Sequence, residues 1–275
     1  MEFETPAAHV EDADLAGYVE YEIDVEKVLR QELPDVVDRA AIAPLTLEAI
    51  AALPERAKGA YVLFEDGRPV YAGKTDTRHG FRSRLAKHHR TIQDRQGLDP
   101  ARIGFKAVRI LVFSNFDVEA ILIKAMREKD PKALIWNFSG FGSNDPGHNR
   151  EAQEPAEFDK ERPIDIDKPI LSPLQGRLVS VLDLLISLKD QLPYTFRYET
   201  DARGTKSAYY TAGHVDQRDA APIQLPDSPF SVRQAVQWIL DVMPAGWQAT
   251  VFPDRVILYR ETTVYRHARE HLTAL

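Results

Sequence analysis

The sequence has no cysteine among its 275 residues. Disulfide frameworks, zinc–cysteine sites and thiol chemistry are therefore excluded, and a chain without disulfides suits a reducing compartment. The chain also has no apolar run of roughly 18 residues, the length that a membrane-spanning helix needs. Its first residues, MEFETPAAHVEDAD, are acidic, whereas a signal peptide begins with basic residues. Together these absences predict a cytoplasmic protein.

Charge is unevenly distributed along the chain. Residues 1–52 hold thirteen acidic and three basic side chains, whereas residues 54–110 hold thirteen basic and six acidic ones. A local positive field attracts a polyanion even when the whole chain is acidic, and the net charge here is −7. The basic segment is therefore a candidate nucleic-acid interface, with a solvated helix face as the alternative.

The sequence divides into three predicted parts. Residues 1–52 form an acidic helical arm, in which apolar residues at helical spacing run up to a stop at Pro34 and Thr46 begins a second helix. Residues 53–165 hold most of the candidate functional residues, and residues 166–275 form an accessory α+β domain. The acidity of the arm is typical of a solubilising face. An arm that masks the basic segment until DNA displaces it is the alternative.

Short alternating elements are predicted for the middle part. AYVLFE and PVYAG are predicted to form two strands of a hairpin around the turn EDGR. Apolar residues with helical spacing follow between residues 81 and 92, and FKAVRILVF then predicts a buried strand. A second helix is predicted from about Asp117 to Lys129, followed by a break at Pro131 and a short extended WNF. The prediction is an α+β fold with a small mixed sheet flanked by helices.

The order of several motifs in this part is informative. The triplets GAY and YAG, at residues 59–61 and 71–73, precede an arginine and a histidine on one predicted helix, a glutamate on the next, and then an asparagine. This arrangement resembles the GIY-YIG nuclease superfamily. The segment WNFSGFGSNDPGHNR is similar to the branch of GIY-YIG type II restriction endonucleases that cuts the palindrome CCGCGG. The resemblance covers about residues 55–165, and alanine stands at positions 60 and 72 where isoleucine is usual.

The resemblance assigns roles to six residues, and the hairpin adds a seventh. The matches are the triplet tyrosines Tyr61 and Tyr71, the pair Arg84 and His88, the metal-binding Glu119 and the supporting Asn137. Lys74 joins them because it lies near the same end of the predicted hairpin as Tyr61. Arg82 and His89 are alternative candidates for the roles of Arg84 and His88, and the sequence does not decide between them. Glu119 alone suffices for one Mg²⁺ ion, because magnesium keeps several waters and commonly uses one or two carboxylates.

The chemistry of phosphodiester hydrolysis suits these side chains. The reaction needs a nucleophilic water, neutralisation of charge on the phosphoryl oxygens and help for the departing 3′ oxygen. Nearby cations favour the phenolate form of a tyrosine, so Lys74 and Arg84 are expected to let Tyr61 accept a proton from water. Arg84 also suits phosphate binding through its fork of donors. His88 is expected either to orient Tyr61 or to protonate a leaving group.

Two groups of residues are candidate DNA contacts. Arg82, Lys87 and His89 lie on the basic helix, and Asn144, Asp145, His148, Asn149 and Arg150 lie in the long loop SGFGSNDPGHNR. Arginine and asparagine read guanine and adenine edges in the major groove. A loop that only wraps the site is the alternative.

The C-terminal part contains two weakly similar units, each a helix, a break and a strand. No catalytic motif is evident in them. Six residues between 194 and 210, five of them aromatic, suggest a stacking surface for DNA, although core and strand positions are the more ordinary interpretation: Tyr194, Phe196, Arg197, Tyr198, Tyr209 and Tyr210. DNA contact, dimerisation and partner binding are the roles left open for this domain.

The resemblance implies a Mg²⁺-dependent type II restriction endonuclease that cuts double-stranded DNA at a palindromic, GC-rich site. It also implies a homodimer with one site per strand and a companion DNA methyltransferase. Two alternatives stay open. One is a phage-defence or repair nuclease that acts on structured or modified DNA, with the C-terminal domain as a sensor. The other is a non-catalytic DNA- or partner-binding protein that has the same fold.

Overall fold

The computed structural model describes residues 24–75, 79–111, 117–138, 141, 151, 153–201 and 209–275, with the backbone alone for residues 138 and 209. Helices and short, largely antiparallel sheets alternate along these ranges, which confirms the predicted α+β class. No helix within the ranges has both the length and the apolar composition of a membrane span.

The N-terminal segment forms α1 (Val25–Arg39), the two-residue strand β1 (Ala43–Pro44) and α2 (Leu47–Ala51). Thr46 begins α2 as predicted, because its hydroxyl accepts a hydrogen bond from the N–H of Ala49 at 3.2 Å. The predicted stop at Pro34 is wrong, since α1 continues through it to Arg39. Leu33, Pro34 and Val37 are buried on one side of α1, so packing outweighs the hydrogen bond lost at the proline.

A hairpin forms the centre of the first sheet, as predicted. β2 (Gly59–Glu65) and β3 (Arg68–Lys74) pair around a turn at Asp66 and Gly67, whose φ values are 50° and 78°. β4 (Ile103–Arg109) pairs with the other side of β2, which gives the order β1-β4-β2-β3. The predicted mixed sheet is wrong for this half. β3 and β4 point in the same direction, but they are not neighbours because β2 lies between them. Every described pairing in this sheet is therefore antiparallel.

Four further helices accompany this sheet: α3 (Phe81–Thr91), α4 (Val118–Lys129), α5 (Ile135–Phe138) and α6 (Glu157–Glu161). The helix predicted between Asp117 and Lys129 is confirmed. The predicted extended WNF is wrong, because those residues belong to α5. Leu134, with a left-handed φ of 59°, donates its N–H to Pro69 O of β3 at 3.1 Å, and Asn137 N–H donates to Leu134 O at 3.0 Å. The chain therefore crosses the edge of β3 in a helical turn instead of pairing along it.

The two faces of the first sheet carry separate cores. Tyr61 and Leu63 of β2 pack in the cluster that contains Phe81 of α3. Ala60 and Val62 of β2 pack in a second cluster with residues of α1 and α4. α1 is therefore part of the core on the face opposite Tyr61. This part of the acidic arm does not cover Tyr61, although it packs against α4, the helix that carries Glu119, and residues 1–23 lie outside the described ranges.

The C-terminal half is built from β5 (Pro169–Ile170), β6 (Leu178–Val179), α7 (Val181–Gln191), β7 (Thr195–Tyr198), α8 (Val215–Asp219), β8 (Ile223–Gln224), β9 (Phe230–Ser231), α9 (Val232–Val242), β10 (Gln248–Val251), β11 (Arg255–Tyr259) and β12 (Glu270–Leu272). The two predicted helix–break–strand units are confirmed. The main sheet has the order β12-β10-β11-β7 and is mixed, because β7 and β11 pair in parallel. Tyr194, Phe196 and Tyr198 are buried in the core of this half, which favours the core interpretation of these aromatics.

The loop after α3 connects the two halves. Gln96 N–H donates to Pro163 O at 2.8 Å. The Arg95 guanidinium reaches the carboxylate of Asp159 at 2.8 Å and Pro253 O, in the turn between β10 and β11, at 3.4 Å. The helix that carries Arg84 and His88 therefore continues directly into this junction.

Candidate functional site

Tyr61 and Lys74 lie near the same end of the hairpin, as predicted, but their adjacent cross-strand positions direct the two side chains to opposite faces of the sheet. Tyr61 lies opposite Gly73 and Lys74 lies opposite Ala60. Thr75 closes this end, because Gly59 N–H donates to its Oγ1 at 2.9 Å and its own N–H donates to Gly59 O at 3.0 Å. The first and last residues of the ribbon are thus fixed against each other.

The glycine of the YAG triplet makes room for the first tyrosine. A Cβ added to Gly73 would lie 2.6 Å from both Cζ and Oη of Tyr61, and 2.9 Å from Cε1 of Tyr71. These separations are shorter than any real carbon contact, so the Tyr61 hydroxyl can occupy its position only beside a glycine. Ala60 and Ala72, which stand where isoleucine is usual, are fully buried on the other face of the sheet.

Tyr61 is hydrogen-bonded to a histidine of α3. Its Oη lies 2.8 Å from Nε2 of His88, and both side chains are buried. His89 instead contacts Gln93, with the Gln93 amide donating to His89 O at 3.0 Å. The choice between the two histidines that the sequence leaves open is therefore resolved in favour of His88 as the one beside Tyr61.

Burial controls the protonation of this pair. It lowers the pKa of His88 to about 3, with Lys87 and Arg84 adding to the effect, so the imidazole is neutral at pH 7. It also raises the pKa of Tyr61 above its ordinary value, an effect that Tyr71 reinforces and Arg84 opposes. The expectation that nearby cations make Tyr61 a phenolate is therefore wrong for this state of the protein, because desolvation outweighs the guanidinium.

The second tyrosine completes the contact on the same face. Tyr71 is half-buried, its ring centroid lies 5.0 Å from that of His88, and its hydroxyl interacts with that of Tyr61. Burial and the charge of Glu119 raise the pKa of Tyr71 as well. Both phenols are therefore neutral hydrogen-bonding groups.

Phe141 is a member of this site that the sequence analysis missed. Its ring stacks on His88 with centroids 5.0 Å apart and an interplanar angle of 15°, and it also contacts Tyr71 and Trp136. Phe141 is buried, although it belongs to the loop SGFGSNDPGHNR. The sequence signal for its burial was a single aromatic residue among glycines and polar residues, because large aromatic side chains are seldom fully exposed.

Glu119 meets the hairpin at the edge strand. Its Oε2 accepts a hydrogen bond from the backbone N–H of Lys74 at 3.2 Å. Burial raises the pKa of Glu119, and this hydrogen bond and the charge of Lys74 oppose the rise. The Lys74 ammonium pairs with Oδ1 of Asp117 at 2.8 Å, a contact that the sequence analysis did not predict. The sequence signal for this contact was the position of Asp117, two residues before Glu119 at the start of the predicted helix.

Asn137 also binds the edge of β3. Its Oδ1 accepts from Ala72 N–H and its Nδ2 donates to Ala72 O, both at 2.8 Å. The side chain thus replaces the strand that an edge position lacks. Asn137 is brought to the site, but these contacts give it a supporting role in holding β3.

Arg84 lies one turn before His88 and interacts electrostatically with Tyr61, Tyr71 and Glu119. The predicted catalytic residues therefore form two groups: Tyr61, Tyr71 and His88 meet on one face of the sheet with Arg84 nearby, whereas Glu119 and Asn137 bind the edge of β3 at Lys74 and Ala72. Across the described residues, no three carboxylate or imidazole groups converge as a metal-holding set. One carboxylate from Glu119, with Asp117 nearby, is the oxygen donor set that the site offers.

The predicted DNA contacts have different surroundings. The Nε of Arg82 donates to Leu53 O at 2.7 Å, which ties this side chain to the end of α2. Lys87 is partly buried beside Arg84, and both burial and that charge lower its pKa. Five predicted contacts lie outside the described residues: Asn144, Asp145, His148, Asn149 and Arg150.

Comparison of the sequence with models of known protein families gives no match, and a search of curated proteins finds no relative. The resemblance to GIY-YIG nucleases therefore rests on the residues quoted from the sequence and on their arrangement.

Proposed function

We propose that this protein is a Mg²⁺-dependent type II restriction endonuclease of the GIY-YIG kind, acting in the cytoplasm as a homodimer. Its substrate is double-stranded DNA with a palindromic, GC-rich site, and a companion methyltransferase protects the host DNA. The supporting observation is the convergence of a phenol, an imidazole, a guanidinium and a carboxylate from β2, α3 and α4. The order of hairpin, α3, β4 and α4 supports the GIY-YIG arrangement.

Positive charge on α3 supports phosphate binding. Arg84 and Lys87 lie close enough for Arg84 to lower the pKa of Lys87, and Arg84 also lowers that of His88. This repulsion would be relieved by an anion between the two cations. A phosphodiester is such an anion, and arginine meets its oxygens through two parallel N–H groups.

Proton movement in the proposed reaction runs through the buried pair. Neutral His88 accepts the hydroxyl proton of Tyr61 at Nε2 while the phenol oxygen takes a proton from the attacking water. The water oxygen bonds to phosphorus as the bond to the 3′ oxygen breaks, and the departing 3′ oxygen takes a proton from solvent. Burial opposes charge on both groups in the free protein. A phosphate nearby would favour the imidazolium form, because an opposite charge raises the pKa of a histidine. Substrate binding itself therefore prepares the relay.

The donor set fits a hydrated magnesium ion. Mg²⁺ prefers oxygen ligands and is commonly held by one or two carboxylates together with substrate phosphates and water. Glu119 uses Oε2 for the backbone of Lys74, so Oε1 is the oxygen that would hold the ion. Stabilisation of negative charge on the phosphoryl oxygens is the chemistry that such an ion supplies when bound.

A non-catalytic DNA- or partner-binding protein is the second candidate. The observation that favours it is the burial of Tyr61, whose exposed fraction is 2%. In that case the tyrosine–histidine pair only stabilises the core, and Glu119 only caps the edge of β3.

The test compares cleavage by the full-length protein and by Glu119→Gln. Glutamine keeps an oxygen for the N–H of Lys74 but removes the negative charge. With Mg²⁺ and methylation-free plasmid, we expect the wild-type protein to cut at a fixed sequence. We expect Glu119→Gln to cut at least about a hundredfold more slowly, in line with the loss of one group that stabilises developing charge. Sequencing of the ends gives the site and the stagger.

The matched control is Glu128→Gln at the other end of α4, where the carboxylate lies 3.9 Å from Arg30. It should cleave as the wild-type protein does. DNA binding by Glu119→Gln, measured by fluorescence anisotropy in EDTA, should stay within about twofold of wild type, because a single charge at a partly screened site contributes little. Wild-type protein that binds plasmid but never cuts it would favour the non-catalytic candidate.

A further inference from the structure

Residues at the start of α4 bind both the backbone and the side chain of Lys74. Its backbone N–H donates to Oε2 of Glu119 at 3.2 Å, and its ammonium donates to Oδ1 of Asp117 at 2.8 Å. The same Asp117 oxygen accepts the N–H of Ala120 at 3.2 Å as the N-cap of α4. One aspartate therefore fixes both the start of the helix that carries Glu119 and the position of the cation beside it.

The ammonium has two carboxylates within reach. Lys74 interacts electrostatically with Glu119 as well as with Asp117, and the two carboxylates repel each other. Contact is made with Asp117, the more exposed of the pair, whereas Glu119 is half-buried. An ammonium in contact with Glu119 would compete with any divalent cation for the same oxygens.

We propose that Asp117 is a positioning residue that holds the Lys74 ammonium away from Glu119, so that Glu119 stays available to a divalent cation. This inference rests on the proposed function. Asp117 acts through Lys74 and is not itself a ligand of the ion.

A double-mutant cycle on the full-length protein tests this role. The probe is Tb³⁺ alone, whose luminescence is sensitised by nearby tyrosines, with displacement by Mg²⁺ as the check. Asp117→Asn removes the charge but keeps an N-cap side chain. In about 0.3 M salt, which screens long-range attraction, we expect it to weaken Tb³⁺ binding by about three- to fivefold, near the upper end for an exposed ion pair.

Two comparisons give the result its meaning. In the Lys74→Met background, Asp117→Asn should change Tb³⁺ affinity by about twofold or less, since the competing ammonium is gone. Asp24→Asn, which removes the N-cap charge of α1, should have no effect in either background. Rescue of the wild-type affinity by Lys74→Met in the Asp117→Asn protein would identify the ammonium as the competitor.

Each other outcome overturns a specific statement. An equal loss with and without Lys74 would make Asp117 a direct ligand, and no loss at all would make it only a helix cap; either result overturns the positioning role. Tb³⁺ binding that survives Glu119→Gln would overturn the proposed function. If Glu119→Gln abolishes binding while Asp117→Asn keeps it, only the present inference fails. A wild-type protein that binds no Tb³⁺ would overturn both.

Discussion

At the scale of single residues, the site is governed by burial. Tyr61 and His88 are polar groups in an apolar cluster, and their 2.8 Å hydrogen bond stabilises them there. A charge on either one is unfavourable because aromatic rings surround them: Phe81 packs edge-on to Tyr61, and Phe141 stacks on His88. Two neutral partners in a dry cluster are the arrangement that such a site favours.

The pKa of His88 makes protein stability depend on pH. The unfolded histidine takes up a proton near pH 6.5, whereas the folded one does so at about 3, so the unfolded state binds more protons between these values. Stability therefore falls as pH is lowered through this window. We expect the slope of unfolding free energy against pH, between pH 4 and 6, to be smaller in His88→Gln than in wild type by up to about 1.4 kcal/mol per pH unit.

Urea unfolding at several pH values measures this slope. His89→Gln is the matched control, because His89 is half-exposed and contacts Gln93 instead of the cluster. It should keep the wild-type slope. The charged groups that act on His88 are Lys87 and Arg84, which both disfavour its protonation. An identical slope in His88→Gln and His89→Gln would contradict the assignment.

At the scale of elements, β3 is an edge strand whose outer side is bound by side chains. Ala72 and Lys74 point their N–H groups away from β2, and these groups meet Asn137 and Glu119. Residues two apart on a strand present their backbone groups to the same side. Two of the predicted catalytic residues therefore also protect a strand edge that would otherwise be open to pairing.

Replacement of Asn137 measures how much its hydrogen bonds to the edge of β3 contribute to protein stability, without a measurement of cleavage. Asn137→Ala removes both hydrogen bonds to Ala72, so we expect the unfolding free energy to fall by about 2 kcal/mol, at about 1 kcal/mol for each bond. Asn137→Asp keeps an acceptor for Ala72 N–H but turns a carboxylate oxygen towards Ala72 O. It should be less stable than Asn137→Ala at pH 7 and recover below about pH 4, where aspartate protonates.

Urea unfolding and amide exchange at Ala72 measure these effects. Faster exchange of this one N–H in Asn137→Ala than in Asn137→Asp is the signature of the lost acceptor. Wild-type stability and unchanged exchange in Asn137→Ala would show that the two hydrogen bonds contribute nothing to β3.

The elements that the sequence predicts best are those with local signals. Asp-Gly between two apolar runs predicts the hairpin, and Thr46 predicts the start of α2. The errors at Pro34 and in WNF arise where packing decides. Pro34 lies within a helix whose buried side faces the sheet, and Leu134 adopts a left-handed turn because it binds β3. Such contacts join residues that are far apart in the sequence, so a local sequence pattern does not predict them.

The same distinction applies to the candidate site. The spacing of triplets, helix residues and glutamate predicts which side chains meet, because each lies on an element with a clear pattern. The protonation state of Tyr61 is not predictable in this way, since it depends on how much aromatic surface surrounds it. Phe141 escapes prediction because only the folded chain stacks it on His88.

At the scale of the whole molecule, one buried arginine joins the two halves. The NH1 group of Arg95 donates to Asp159 at 2.8 Å, to Arg162 O at 3.0 Å and to Pro253 O at 3.4 Å. The guanidinium also lies 5.2 Å from the centre of the Phe158 ring. α3, the connector and the turn between β10 and β11 therefore share a single side chain, and the geometry of Arg84 and His88 on α3 is tied to the C-terminal half.

The contribution of this junction to stability is tested by comparing Arg95→Met with Arg102→Met, which removes one partner of an exposed arginine–aspartate pair. The side chains of Arg95 and Asp159 are 6% and 11% exposed, whereas those of Arg102 and Asp66 are 54% and 47% exposed. Removing one partner of a buried pair leaves a buried charge and costs about 3–5 kcal/mol, whereas an exposed pair contributes at most about 1 kcal/mol. We expect losses of these sizes in Arg95→Met and Arg102→Met, measured by urea unfolding. Arg95→Met combined with Asp159→Asn should regain part of the loss, because the unpaired carboxylate is gone; equal losses in Arg95→Met and Arg102→Met would contradict a buried junction.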